Sequence, residues 1–277
     1  MVFFADQKSG NMKLMSFDKE SKKNSSADRN TSWGKVADWY KNLLDGEGTY
    51  QKDVILPNII RLLDIKKNEV VLDLACGPGF FSREFFKKGA KVIGIDISEE
   101  LIEIARKNSP KEINFVVSSA DSLSFLKDRS IDKITIILSI QNIENVHDVF
   151  KECRRVLKPT GRLFLVMNHP AFRAPKESSW GWDDKTKIQY RRMDRYLSEL
   201  KVKIQMHPGD KPGEYTLSFH RPLQFFFKSL GKNNFCVTRL EEWISNKKSE
   251  LGPRATAEDR SRSEIPLFLF LETKQVS

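Results

Sequence analysis

Val70-Val71-Leu72-Asp73-Leu74-Ala75-Cys76-Gly77-Pro78-Gly79-Phe80-Phe81 decides the fold: an apolar run stops in a glycine turn and opens a helix. A second apolar run, Val92-Ile93-Gly94-Ile95-Asp96-Ile97, follows and carries an acid near its end. The pair reads as the start of a nucleotide-cofactor half-domain. Gly77 and Gly79 let backbone approach a ligand with no Cβ in the way, and a carboxylate about 20 residues on is placed to accept ribose hydroxyls. A dinucleotide fingerprint would need a third glycine so that a pyrophosphate could rest on the helix N-terminus. Here the residue three after Gly79 is Ser82, and Asp73 precedes the turn. A carboxylate at that point repels phosphate and welcomes an ammonium, so NAD and NADP are excluded.

Outward from this stretch, strand and helix patterns alternate. Strands are expected near 70–74, 91–95, 113–117, 132–138 and 162–167, with helices near 80–88, 99–107, 121–127 and 146–156. Ser98 suits an N-cap, with Glu99 and Glu100 favourably placed in the first turn. Single helices between strands imply right-handed crossovers and a parallel sheet, whose ligand lies at the carboxyl ends of the strands.

Residues 1–31 have no sustained period and are expected to be a disordered tail, with 32–277 forming one domain. Within it, residues 32–66 read as N-terminal cap helices. Val36, Trp39, Tyr40, Leu43 and Leu44 recur at helical spacing before Gly46 and Gly48, and a second helix over Gln51–Leu63 should kink at Pro57. After the fifth strand the alternation stops for some 50 residues, too long for an ordinary connection. This insertion, 169–219, is expected to hold a basic helix over 184–199 and a hairpin pairing Val202, Ile204 and Met206 with Tyr215, Leu217 and Phe219. Further on come a helix to about Leu230 and strands near 235–241 and 265–273.

Composition narrows the class. The 277 residues can bury one good-sized α/β core, and no apolar run is long enough to span a bilayer, so no membrane partner and a cytoplasmic location are expected. Cys76, Cys153 and Cys236 are odd in number and widely spaced, which favours reduced thiols over disulfides or a metal site. The net charge of +10 leaves a nucleic-acid partner open, although part of the excess lies in the N-terminal tail and on solvated helix ends.

Four motifs in register resemble the class I S-adenosylmethionine-dependent methyltransferases, in particular the small-molecule, type 11-like group. They are the glycine turn with Asp96; Ser118-Ser119-Ala120-Asp121; Ile131-Asp132-Lys133-Ile134-Thr135-Ile136-Ile137-Leu138; and Phe150 to Leu163 with its Leu157-Lys158-Pro159-Thr160-Gly161 turn. The resemblance spans roughly Val70 to Lys274. It implies a Rossmann-like α/β fold, with a seven-stranded, mostly parallel sheet, helices on both faces, an antiparallel closing strand, and a helix-plus-hairpin lid inserted after strand 5.

It also implies S-adenosyl-L-methionine as cofactor, S-adenosyl-L-homocysteine as product, and no metal. Asp73, Ala75, Gly77 and Gly79 would meet the methionine end and Asp96 the ribose. Ile97, Ala120 and Asp121 would meet adenine; Ser139 and Ile140 would line the methionine arm, with Tyr40 and Tyr50 closing over it. Asp73 and Asp121 have a plainer reading as turn caps, and the two tyrosines as core residues. His169 and His220 are the candidate bases, each with a structural role as the alternative, and many relatives need no base. In the insertion, Phe172, Trp180 and Tyr190 offer flat apolar contacts, and Arg191 and Arg192 a partner for an anionic group on the acceptor. Packing within the lid and solvation remain the alternatives.

The function so implied is methyl transfer by in-line displacement to a small or medium organic acceptor. An RNA or protein methyltransferase and a noncatalytic cofactor-binding protein remain open. The sequence Ser139-Ile140-Gln141-Asn142 lacks the Asn/Asp-Pro-Pro-Tyr run of enzymes acting on exocyclic base amines. The acceptor and the oligomeric state are left undetermined by the residues.

Overall fold

A computed structural model describes residues 33–205 and 215–276. The expected tail, Met206, and the His207–Gly213 connection with Gly209 and Gly213 lie outside the described residues. The core is a seven-stranded sheet in the order β3-β2-β1-β4-β5-β11-β10. Its strands are β1 (Val70–Leu74), β2 (Lys91–Asp96), β3 (Asn114–Val117), β4 (Ile131–Ile137), β5 (Leu157–Asn168), β10 (Phe235–Trp243) and β11 (Phe268–Gln275). Only β11 runs against the grain, pairing antiparallel with both β5 and β10.

The period-2 alternation of these strands builds two apolar layers. Val71, Val92, Phe164, Val166, Phe268 and Phe270 share one, against α2 (Leu56–Leu63), α3 (Phe80–Lys87) and α4 (Glu99–Lys107). Leu72, Leu74, Ile134, Ile136, Leu165 and Leu269 share the other, against α5 (Val146–Val156) and α6 (Leu223–Lys232). Phe85 and Phe150 are fully buried, one in each layer, and truncation of either to Ala should cost about 3–5 kcal/mol. The chain steps outward from β1 through β2 to β3, then returns to the opposite side of β1 as β4. Its crevice therefore opens at the carboxyl ends of β1 and β4, where strand order reverses.

Ser98 caps α4 as expected, accepting the Leu101 amide at 3.3 Å. At the N-terminus α1 (Ala37–Asp45) ends at Gly46. The kinked second helix is instead a wide-wound turn, Gln51–Ile55, running into α2, which leaves Pro57 in the first turn where proline is tolerated.

Two expectations need correction, and one helix was not anticipated. Residues 121–127 form turns, not a helix, because side chains of α5 take their backbone groups. The Leu123 amide donates to Glu152 Oε2 at 2.8 Å, while Arg155 donates to the Leu123 and Leu126 carbonyls at 2.8 and 2.9 Å.

The basic helix over 184–199 is also absent. Its residues belong to an antiparallel hairpin of β6 (Ser178–Asp183) and β7 (Ile188–Met193). Asp183 Oδ1 accepts the Lys185 and Thr186 amides at 2.9 and 3.3 Å, an Asx turn that reverses the chain before a helix can start. Gly181 faces Tyr190 across this pair, and the Tyr190 ring fills the space a Cβ would need. It is a packing glycine in a strand. The expected second hairpin is present as β8 (Leu200–Gln205) and β9 (Tyr215–His220), so the insertion is two hairpins rather than a helix and a hairpin.

Finally, α7 (Ala255–Glu264) was not anticipated. Its sequence has almost no apolar stripe, and it is held to β7 through Ser261 Oγ donating to the Gln189 carbonyl at 2.8 Å.

Candidate functional site

Beyond β1 the backbone turns through left-handed conformations at Ala75 (φ 54°), Gly77 (φ 56°) and Gly79 (φ 76°) before α3 begins. The two glycines serve different ends. A Cβ on Gly79 would lie 2.9 Å from Phe115 Cζ, so that position is fixed by helix–sheet packing. A Cβ on Gly77 would meet only the Tyr40 ring, at 3.4 Å, because Gly77 borders open space.

Two buried carboxylates flank this turn. Asp73 accepts Ser82 Oγ–H at 2.6 Å and Thr135 Oγ1–H at 3.0 Å. Asp96 accepts the Gly77 amide on Oδ2 at 2.9 Å and the Ser98 amide on Oδ1 at 3.0 Å. Burial pushes the Asp73 carboxyl from 3.8 up to about 6, with the nearby charge of Asp96 adding to it and the two hydroxyls opposing it. Burial likewise raises Asp96, against its backbone donors. Burial, then Asp96 and Asp73, push the Tyr40 phenol well above its ordinary range.

Asp73, Asp96 and Tyr40 face a half-open cavity, which Ala75, Gly77, Ile97 and Ser139 also line. Trp33, Leu44, Phe80, Phe81, Leu101, Ile137, Leu138 and Ile143 give it apolar walls, and Cys76 and Asn142 complete it. None of these residues is Lys or Arg. Ser139 Oγ is buried there without a hydrogen-bond partner, a loss that a bound ligand could repair.

The remaining candidates for this site lie outside the lining. Tyr50 packs edge-on against Phe268 and hydrogen-bonds Ser245 Oγ at 2.9 Å. Ile140 is wholly buried beneath the short turn Ile140–Asn142. Ala120 packs against the second apolar layer, and Asp121 accepts Ser119 Oγ–H at 2.5 Å. The apolar walls were missed from the sequence, although Phe80 and Phe81, directly after the glycine turn, carried a readable signal.

A second, smaller cavity lies beside the first, at the ends of β4 and β5 and under β9. His220 lines it with Gln141, Met167, Arg173, Phe219 and Arg221. His220 Nε2–H donates to the Tyr196 carbonyl at 2.8 Å, which fixes the tautomer and leaves the lone pair on Nδ1. His169 lines neither cavity: its Nδ1 accepts the Ala171 amide at 3.2 Å and its Nε2–H donates to Glu242 Oε1 at 2.7 Å. It ties the end of β5 to β10.

The expected acceptor contacts also line neither cavity. Arg191 donates to the Phe172 carbonyl and Ser178 Oγ, both at 2.8 Å, and lies over Trp180 at 5.2 Å. Arg192 pairs with Asp194 on the exposed surface, and Tyr190 is 46% exposed over Gly181. Phe172 packs on the His169 ring at 4.8 Å.

Against known proteins, the family model of a methyltransferase domain matches residues 72–165. The fold of the chain is the Rossmann-like methyltransferase fold. Demethylmenaquinone methyltransferase of Thermotoga maritima is 38% identical over 110 residues, 39% of this chain and 47% of that protein. Ubiquinone biosynthesis O-methyltransferase of Xanthomonas oryzae pv. oryzae is 33% identical over 98 residues, 34% of this chain and 41% of that protein. The chain thus spans less than half the length of these curated relatives. Among solved structures, an S-adenosylmethionine-dependent methyltransferase from Mesorhizobium loti superposes with TM-score 0.65 at 23% identity, covering 82% of this chain and all of that one. A glycopeptide N-methyltransferase complexed with S-adenosyl-L-methionine superposes with TM-score 0.55 at 16% identity, covering 79% of this chain and 92% of that one. Among the described residues no helix is long and apolar enough to cross a membrane.

Proposed function

We propose that the protein binds S-adenosyl-L-methionine and transfers its methyl group to a small organic acceptor, leaving S-adenosyl-L-homocysteine. One observation carries this reading. Asp73 and Asp96 are buried in one cavity, and among the described residues its lining supplies no cation to either. A buried carboxylate without a countercharge is costly. A ligand bringing an ammonium and a sulfonium relieves that cost, whereas a pyrophosphate deepens it.

The residues present fit such a ligand. Each Asp96 oxygen accepts one backbone amide and keeps a further lone pair, enough for two ribose hydroxyls. Asp73 would draw the ammonium to the end of β1, Gly77 would leave room for the methionine arm, and Ser139 Oγ would gain a partner. Ile97 would cover the base. When bound, S-adenosyl-L-methionine supplies a methyl already activated on sulfur, so the protein's part is alignment and exclusion of water. Trp33, Tyr40, Phe80 and Phe81 provide the dry wall for this. Where the acceptor carries a proton, His220, whose Nε2–H is held by the Tyr196 carbonyl, would receive it on Nδ1. Three unpaired cysteines support a reducing, cytoplasmic setting.

The acceptors of the curated relatives do not carry over. The family match ends at residue 165, before the insertion begins. The reading is tested by incubating the protein with methyl-labelled cofactor and a small-molecule cell extract. Transfer of label to a low-molecular-weight product, lost in Asp96→Ala, is expected. Label appearing only in RNA or protein would overturn the small-acceptor assignment, and no transfer despite tight binding would leave a cofactor-binding protein.

A further inference from the structure

A cleft along the exposed side of α6 is separate from both cavities described above. Gln224, Lys228 and Lys232 line it on successive turns of that helix. At the start of α6 it meets Leu197 and Glu199, on the segment joining β7 to β8, where the Leu223 amide donates to the Tyr196 hydroxyl at 3.0 Å. At the other end it meets His147, in the first turn of α5. The cleft is half-open, with room for about 490 Å³, inside the roughly 300–1,000 Å³ of sites for drug-sized ligands. From Gln224 to Lys232 it is about 12 Å long, at 1.5 Å of rise per residue. An extended peptide outruns that length within about four residues, and a bilayer does not enter a cleft, so the shape favours a small molecule.

The lining is apolar and cationic together. Leu197 is 67% exposed, and Pro222 and Phe225 line the same cleft. A large apolar side chain left in water gains from a ligand that covers it. Lys228 and Lys232 stand on a helix that carries no acid, and among the described residues neither makes an ion pair or a side-chain hydrogen bond. The Arg221 guanidinium adds to their field, lying over the Phe225 ring at 4.9 Å. Among the described residues the one acid in the lining is Glu199, whose Oε2 is 3.9 Å from Arg221 Nε, so the two lysines stay uncountered. The Asn233 amide donates to His147 Nδ1 at 3.0 Å, which leaves the ring N–H on Nε2 as a further donor at the Lys232 end. Two exposed ammoniums alone hold an anion weakly. An anion attached to an apolar body gains from both parts of the lining at once.

We propose that this cleft is a binding site for a small organic anion with a flat apolar body: the body lies against Leu197, Pro222 and Phe225, and Lys228 and Lys232 hold the anionic group. The assignment stands on the cleft alone and does not depend on the methyl-transfer reading.

The test titrates the full chain with a matched pair of fluorescent probes, 8-anilinonaphthalene-1-sulfonate and the neutral N-phenyl-1-naphthylamine, which share a ring system and differ by the sulfonate. One sulfonate probe should bind per chain, at least about tenfold more tightly than the neutral one. Lys228→Gln combined with Lys232→Gln should remove most of that preference, with circular dichroism unchanged because both side chains are exposed. Leu197→Ser should weaken both probes about threefold or more. Removing two charges elsewhere, by Lys185→Gln with Lys187→Gln in the β6–β7 turn, should alter neither affinity, and saturating S-adenosyl-L-homocysteine should not displace the probe. Equal affinity for the two probes, an unchanged preference in the Lys228 and Lys232 variant, or unchanged affinities in Leu197→Ser would overturn the proposal. So would an equal effect of the Lys185 and Lys187 pair, or displacement by S-adenosyl-L-homocysteine, which would place the probe in the cofactor cavity instead.

Discussion

Replacing Asp73 by Asn should make the ligand-free protein more stable at alkaline pH while disabling its cofactor site. The native carboxyl is buried between Ser82 and Thr135, and its value stands near 6 instead of 3.8. A raised carboxyl value means that the folded chain holds the proton more tightly than the unfolded one. The associated stability is complete below about pH 4 and is lost as pH rises through about 6, a difference of about 3 kcal/mol. Asn keeps the shape and an acceptor oxygen but carries no charge. At pH 8 the variant should therefore exceed the native chain by about 1–3 kcal/mol, part of the gain being offset by weaker hydrogen bonds from the two hydroxyls. At pH 4 the two should nearly coincide. For a domain of this size each kcal/mol moves the melting point by about 2–4 °C, so thermal melts at both pH values without ligand resolve the effect. Affinity for S-adenosyl-L-methionine should fall at least tenfold in the same variant. A stability gap that does not change with pH, or a variant less stable than the native chain at pH 8, would show that the buried charge is satisfied within the fold and would remove the argument for a cationic ligand.

Asp96→Ala should weaken S-adenosyl-L-methionine binding about tenfold or more with unchanged circular dichroism, as expected for loss of charge-assisted hydrogen bonds; an unchanged affinity in titration calorimetry would refute the assignment. Gly79→Ala should cost about 2–4 kcal/mol in urea unfolding, since it combines a left-handed backbone with a clash against Phe115; a loss below about 0.5 kcal/mol would contradict the packing described. His169 is held below its ordinary 6.5 mainly by burial, against the pull of Glu242, so its contribution is complete above 6.5 and lost as pH falls through the depressed value. His169→Gln should flatten the acid limb of the stability profile and leave methyl transfer measurable; abolished turnover in a folded variant would make His169 a catalytic group instead.

The sheet and the cofactor end of the site were legible because their residues obey local rules. Val70–Leu74 and Lys91–Asp96 read as strands from their apolar runs, and Gly77, Asp73 and Asp96 announce the turn and its charge in the sequence itself. What was illegible depended on partners distant in sequence. Nothing within 121–127 reveals that Glu152 and Arg155 will occupy its backbone groups, and the charge run after Trp182 resembles a helix until Asp183 is seen closing a turn. The α7 helix lacks the apolar stripe that betrays most helices.

The most direct measurement is calorimetric titration of the native chain with S-adenosyl-L-methionine, NAD and NADP side by side at near-neutral pH. Two buried carboxylates facing a cavity that no described Lys or Arg lines predict micromolar binding of the sulfonium ligand and no measurable binding of either dinucleotide. Micromolar binding of NAD or NADP, with none of S-adenosyl-L-methionine, would contradict the reading at its root.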